Sequence, residues 1–142
     1  MRLTVSALLT LLLCISVSLA AHPLEGAWSV VQYHLKDGQS LEVSGQILFA
    51  ANHWSVLFFV TEGGEPKRGS AEGGTYRVEG DKLIFLHTLR LADIDRGSES
   101  PIVREIKAEP TREATQFEVQ GRRLTIDFPS GNRMVFQKPE EN

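Results

Sequence analysis

Apolar residues recur at every second position along most of this chain. The runs are broken by turn residues, and no stretch carries a helical stripe of any length. A period of two sends successive side chains to opposite faces of an extended strand, so the pattern confines the chain to an all-β fold. The first strand is predicted from about Ala27 to Leu35, with Trp28, Val30, Gln32 and His34 on one face and Ser29, Val31 and Tyr33 on the other. Asp37-Gly38 turns it, and a second strand from about Leu41 to Ala50 carries Val43, Ile47 and Phe49. Gly45 within it offers the bulge or bend that a small barrel needs at a corner. The stretch from His53 to Val60 is apolar on both faces, which predicts a third strand covered on both sides. Thr61 to Gly74, rich in Gly, Glu and Lys, reads as a long mobile loop.

From Thr75 the alternation resumes. Tyr76 and Val78 alternate with Thr75 and Arg77, Gly80-Asp81 makes a tight hairpin, and Leu83, Phe85, His87 and Leu89 share one face of the returning strand. Asp93 to Pro101 is polar and poorly patterned, while Ile102 to Lys107 and Ala114 to Val119 each read as strands. In the last hairpin Leu124, Ile126 and Phe128 face one way, Pro129-Ser130-Gly131-Asn132 turns, and Met134 returns with Phe136. Eight to ten short strands joined by consecutive hairpins predict a single antiparallel up-and-down β-barrel, because closure hides the sheet edges.

Residues 1–20 read as an export signal and stand apart from the barrel domain of residues 21–142. Arg2 gives a positive start, Leu8 to Leu19 is an apolar run too short to span a bilayer comfortably, and Ser18-Leu19-Ala20 supplies small residues for cleavage after Ala20. The expected destination is the periplasm or the exterior, with no membrane span once the signal is removed. The lone cysteine, Cys14, lies inside this segment with Leu13 before it, so it does not fit a lipoprotein signal. The mature chain would then have neither a disulfide nor a thiol nucleophile and would rest on its hydrophobic core. Loss of Arg2 leaves 14 basic against 18 acidic residues, a balance that invites neither nucleic acid nor an anionic membrane.

Four groups of residues carry a resemblance to a known family. They are Gly26-x-Trp28 at the mouth of the first strand, Gly45-Gln46-Ile47-Leu48-Phe49 leading into His53-Trp54-Ser55, Gly73-Gly74-Thr75-Tyr76, and a basic residue on the final strand. Over most of the mature length the chain resembles the lipocalin-like (calycin) barrel proteins. The resemblance implies that Gly26 and Trp28 plug one end of the barrel, with a basic side chain, Arg133 or Lys138, packed across the indole. The chain departs from the secreted lipocalins in lacking a second Thr-Asp-Tyr-type motif, a disulfide and an obvious C-terminal helix.

Strand parity places Gln32 and His34 on the inward face begun by Trp28, and sets His87 among Leu83, Phe85 and Leu89. A polar group on an apolar face must find a partner or meet a ligand. His87 is expected to be desolvated, neutral and depressed in pKa. Trp54, after a turn at Ala51-Asn52, is placed at the barrel mouth, where it would close over a guest, and Tyr76 and Phe85 complete the candidate ligand wall. The plainer alternatives are that His34 and His53 are exposed at strand ends and that the aromatics are core. No metal site is expected, since His34, His53 and His87 show no i, i+2 or i+4 pairing and Asp93-Ile94-Asp95 lacks the rest of a calcium loop. Gly63-Gly64 and Gly73-Gly74 lack the lysine and helix of a phosphate loop, and no nucleophile elbow is present, so neither cofactor nor catalytic residue is assigned.

Three functions fit this reading. The first is an exported binding protein for a small hydrophobic molecule. The second is an interaction or inhibitor module with a filled barrel that acts through the Thr61 to Gly74 and Leu91 to Pro101 loops. The third is a barrel isomerase or cyclase using His34 or His87 as general base.

Overall fold

The computed structural model describes residues 22–93 and 103–140, so the export signal and most of the Asp93 to Pro101 stretch lie outside the described residues. Eight strands follow one another: β1 (Gly26–His34), β2 (Ser40–Ala50), β3 (His53–Glu62), β4 (Glu65–Glu79), β5 (Lys82–Asp93), β6 (Val103–Gln120), β7 (Arg123–Asp127) and β8 (Arg133–Gln137). Each pairs antiparallel with its sequence neighbours, and β1 also pairs with β8, which closes the barrel as the alternation predicted. An eight-stranded barrel has an interior just wide enough to be filled by side chains or to hold one small ligand.

Two-residue turns make the tightest hairpins. Ala51 and Asn52, with φ of 47° and 65°, reverse β2 into β3 at the end where β1 begins. Both central residues at positive φ match the right-handed twist of the flanking strands. Gly63 and Gly64 do the same between β3 and β4. Thr61 to Gly74 is therefore not a loop but the end of β3, a hairpin and most of β4. Two further boundaries differ from the sequence reading. The two strands expected around Ile102 to Lys107 and Ala114 to Val119 are one long strand, β6, and the third strand is not covered on both sides, because Leu57 and Phe59 are exposed on its outer face.

The closed end is built on Trp28, which is fully buried and donates its indole N–H to the Leu24 carbonyl at 2.8 Å. Phe49, Leu83, Leu124 and Phe136 pack around it in the same core. Lys138, just past β8, lays its ammonium 4.8 Å from the Trp28 ring centroid. The cation across the plug is thus Lys138. Arg133 points outward instead, bonded to Asp127 at 2.5 Å. Gly45 bends β2 around the core, because a β-carbon there would collide with the Leu57 carbonyl oxygen and lie 2.5 Å from the Phe58 α-carbon.

Candidate functional site

Three bulges decide which side chains enter the barrel. In β1 the register with β8 shifts between Val30 and Gln32, so Trp28 and Val30 face inward and Tyr33 takes the inward place after the shift. Gln32 and His34 are thereby turned to the outer face, where Gln32 is exposed and His34 Nδ1 lies 2.8 Å from Ser40 Oγ. Their expected inward placement is corrected by that single extra residue, since parity inverts across a bulge. Between β4 and β5 the register shifts at Gly73/Gly74, and between β5 and β6 at His87/Leu89. His87 remains inward beside Phe85, but Leu89, expected on the same face, is 52% exposed and Arg90 takes its turn toward the interior.

The register then assembles one polar wall. Glu72 is paired with Val56 on β3 and Arg90 on β5, while Glu113 and Thr111 on β6 are paired with Phe85 and His87. His87 Nδ1 is 2.9 Å from Glu72 Oε2, and its Nε2 is 3.6 Å from Glu113 Oε1. Arg90 Nε lies 3.6 Å from the other Glu72 oxygen, which also accepts from Ser70 Oγ at 3.2 Å. Nearer the mouth, Lys107 donates to Thr111 Oγ1 at 2.9 Å and sits 3.6 Å from Glu105.

Burial pulls the His87 pKa down, but the hydrogen bonds and charges of Glu113 and Glu72 outweigh it and raise the pKa from the ordinary 6.5 to about 9. The neutral imidazole expected from the sequence is instead an imidazolium at neutral pH. Glu72 is lowered, chiefly by the His87 hydrogen bond and against the effect of burial.

Below this wall lies a cavity of about 340 Å³ inside the barrel. Ile47, Val56, Phe58, Met134 and Phe136 form its apolar side, and Glu72, His87, Arg90, Lys107 and Glu113 its polar side. Tyr33 and Asn132 guard the mouth, joined by an Asn132 amide donating to the Tyr33 hydroxyl at 3.0 Å. Trp54 lines the same cavity rather than the mouth. It is 5% exposed, packs 4.6 Å from Phe85 and 4.9 Å from His87 between ring centroids, and leaves its indole N–H with no partner among the described residues.

Of the candidate ligand residues, the structure brings Trp54, Phe85 and His87 together. Tyr76 is elsewhere, at the closed end against Phe49, where its hydroxyl donates to Glu25 at 2.9 Å. Burial and then Glu25 push its phenol up to about 12. Glu72, Arg90, Lys107 and Glu113 escaped the sequence reading. Glu72 lies in the stretch read as a loop, and the others have no large apolar residue two places away on their own face: Thr88 and Ala92 stand beside Arg90, Glu105 and Glu109 beside Lys107, and Thr111 and Thr115 beside Glu113. No group of three or more His, Cys, Asp or Glu placed to hold a metal occurs among the described residues.

A second concavity, about 1110 Å³, runs along the outer face of β2 to β6, where Leu48, Leu57, Leu89, Leu91 and Ile106 flank a floor of Ala71 and Gly73. It is mainly apolar, whereas in the interior cavity polar groups converge beside an apolar chamber, the combination that orients a small molecule.

No protein-family model matches the chain, and no curated protein matches it. Among solved structures it is similar to a lipocalin-like protein from Bacteroides uniformis, with a TM-score of 0.53 and 17% identity over 82% of this chain and 99% of that one. At that identity the likeness concerns the fold: the closed eight-stranded barrel is lipocalin-like.

Proposed function

We propose that this lipocalin-like barrel is an exported binding protein that holds a small hydrophobic molecule in its interior. The observation that carries the reading is the 340 Å³ chamber, apolar on one side and polar on the other, inside a barrel closed at the opposite end by Trp28. That volume lies within the range of small-molecule sites. A filled barrel working only through loops fits less well, because the chamber is open and Thr61 to Gly74 is paired strand. A general-base enzyme fits less well too, since an imidazolium held between two carboxylates has no lone pair to accept a proton near neutral pH. Export rests on the short apolar run and small residues ahead of the barrel.

Native mass spectrometry of the protein purified from its own host tests the reading. A retained small-molecule mass that disappears on organic extraction, and in a Val56→Trp variant that fills the chamber, is the expected result. If the extracted protein takes up no apolar compound, and its melting temperature responds to none, the proposal fails.

A further inference from the structure

We propose that the outer face of β2 to β6 is the interface of a symmetric homodimer, in which an apolar ridge on each copy fills an apolar hollow on the other.

The usual polarity of a barrel wall is inverted here. Glu72, His87 and Glu113 line the interior cavity from β4, β5 and β6, while Leu89 and Leu91 on β5 and Ile106 on β6 stand exposed outside. In an antiparallel sheet with one solvated face, the apolar side chains belong to the covered face. The face that lacks its cover is therefore the outer one. Leu48, Leu57, Phe59, Leu89, Leu91 and Ile106 are between 43% and 88% exposed, and Val31 is the one other large apolar side chain left in solvent among the described residues.

The area suits a second copy of the chain. At roughly 190 Å² for a large side chain in full exposure, these residues leave about 600 Å² in solvent. An interface of standard size buries about 800 Å² on each partner, so the apolar patch alone supplies about three quarters of it. Gln46, Ala50, Ser55 and Thr88 line the same concavity and widen the contact.

Strand register sets the shape. Leu48, Ser55, Gly73, Leu89 and Ile106 form one row across β2 to β6, and Gln46, Leu57, Ala71 and Leu91 form the next. Small residues fall on β4 and large ones to either side of it. The result is a hollow of about 1110 Å³ floored by Ala71 and Gly73, beside a ridge that ends in Ile106 at 88% exposure. A two-fold axis between two such sheets, placed over the step from hollow to ridge, seats each ridge in the opposite hollow. Both contacts form at once, as an isologous interface requires. Like residues meet near a two-fold axis, and none of the side chains in these rows is charged, so no like charges are opposed. A flat bilayer surface would touch the ridge and miss the floor, whereas a second copy meets both.

Sedimentation velocity of the mature protein across the micromolar range gives the test. A species of twice the monomer mass, growing with concentration, is expected. Ile106→Asp and Leu89→Asp should each weaken it at least tenfold, and Ile106→Thr, milder and still β-branched, should act in the same direction whether or not the aspartate variants fold. Gln137→Asp, exposed on β8 across the barrel from β4, should leave association unchanged. Ala71→Leu adds apolar surface but fills the hollow from within its own chain, so it should also weaken the dimer by tenfold or more. The inference is overturned if the protein sediments as a monomer throughout, if the dimer survives the substitutions at Ile106 and Leu89, or if Ala71→Leu fails to weaken it. A monomer that floats with phosphatidylethanolamine–phosphatidylglycerol vesicles, and ceases to do so as Ile106→Asp, would overturn it in favour of a bilayer surface.

Discussion

Lys138 Nζ stands 4.8 Å from the centre of the Trp28 ring, closing the barrel end from outside while the Leu24 carbonyl holds the indole from within. The two contacts differ greatly in weight. Trp28→Ala removes a fully buried aromatic and is expected to cost roughly 3–5 kcal/mol. Lys138→Met loses only a cation–π contact and should cost about 1 kcal/mol or less. Urea unfolding checks both. A loss below about 1 kcal/mol for Trp28→Ala, or a larger loss for Arg133→Met than for Lys138→Met, would contradict this account of the plug.

The Glu72–His87 pair makes stability depend on pH in a defined direction. The folded pKa of His87 is raised from 6.5 to about 9, so its contribution is complete below about 6.5 and is lost as the pH climbs through about 9. Glu72 is lowered, so its contribution is present above its ordinary 4.5 and is lost as the pH falls. Thermal midpoints measured from pH 5 to 10 should decline between 6.5 and 9 more steeply for the wild type than for His87→Gln. Parallel curves would mean that the histidine is not held as an imidazolium.

Gly74 fixes the bulge that turns β4 and β5 past each other. A β-carbon at this position would collide with the Leu86 carbonyl oxygen and come within 3.2 Å of the Thr88 nitrogen. These are backbone atoms and cannot swing aside, so Gly74→Ala is expected to cost more than about 3 kcal/mol or to prevent folding. At Gly73 the nearest contact is 3.2 Å, to the Trp54 carbonyl oxygen, and Gly73→Ala should cost about 1 kcal/mol. Equal losses in chemical denaturation would remove Gly74 from its role in the bulge.

The barrel is legible in the sequence because its core strands alternate and its turns carry turn residues; Trp28, Ile47, Phe49, Leu83 and Phe85 all fall on the inward side as their spacing requires. The polar wall is not legible, for a physical reason. A bulge adds one residue and inverts every side chain beyond it, yet it needs no distinctive composition. Gln32 and His34 were thrown outward in this way and Arg90 was brought in. β4 hid for a different reason. Its outward positions Gly69, Ala71 and Gly73 are small and its inward Ser70 and Glu72 are polar, so the strand shows no apolar period and its composition reads as a loop. The inward side of His87 follows from its spacing to Phe85, but its charge state depends on Glu72 and Glu113, partners 15 and 26 positions away that no local pattern connects to it.

Those two carboxylates also change what removing His87 should do. A neutral histidine on an apolar face would tolerate His87→Leu, and the fold would be unaffected. An imidazolium bridging Glu72 and Glu113 leaves two carboxylates facing each other across an apolar chamber when it is lost. Breaking a buried pair costs about 3–5 kcal/mol, and since His87 and Glu72 keep 18% and 21% of their side-chain surface exposed, about 2 kcal/mol is the expected loss here. His53, exposed and held only near the Ala51 carbonyl at 3.0 Å, should change stability by less than about 0.5 kcal/mol as His53→Leu. The double variant His87→Leu/Glu72→Leu, which removes both charges of the tighter pair, is expected to recover about 1 kcal/mol relative to His87→Leu alone. Urea unfolding of the four proteins measures the coupling. If His87→Leu costs no more than His53→Leu, or if adding Glu72→Leu only deepens the loss, then the ion pair does not hold this part of the barrel together.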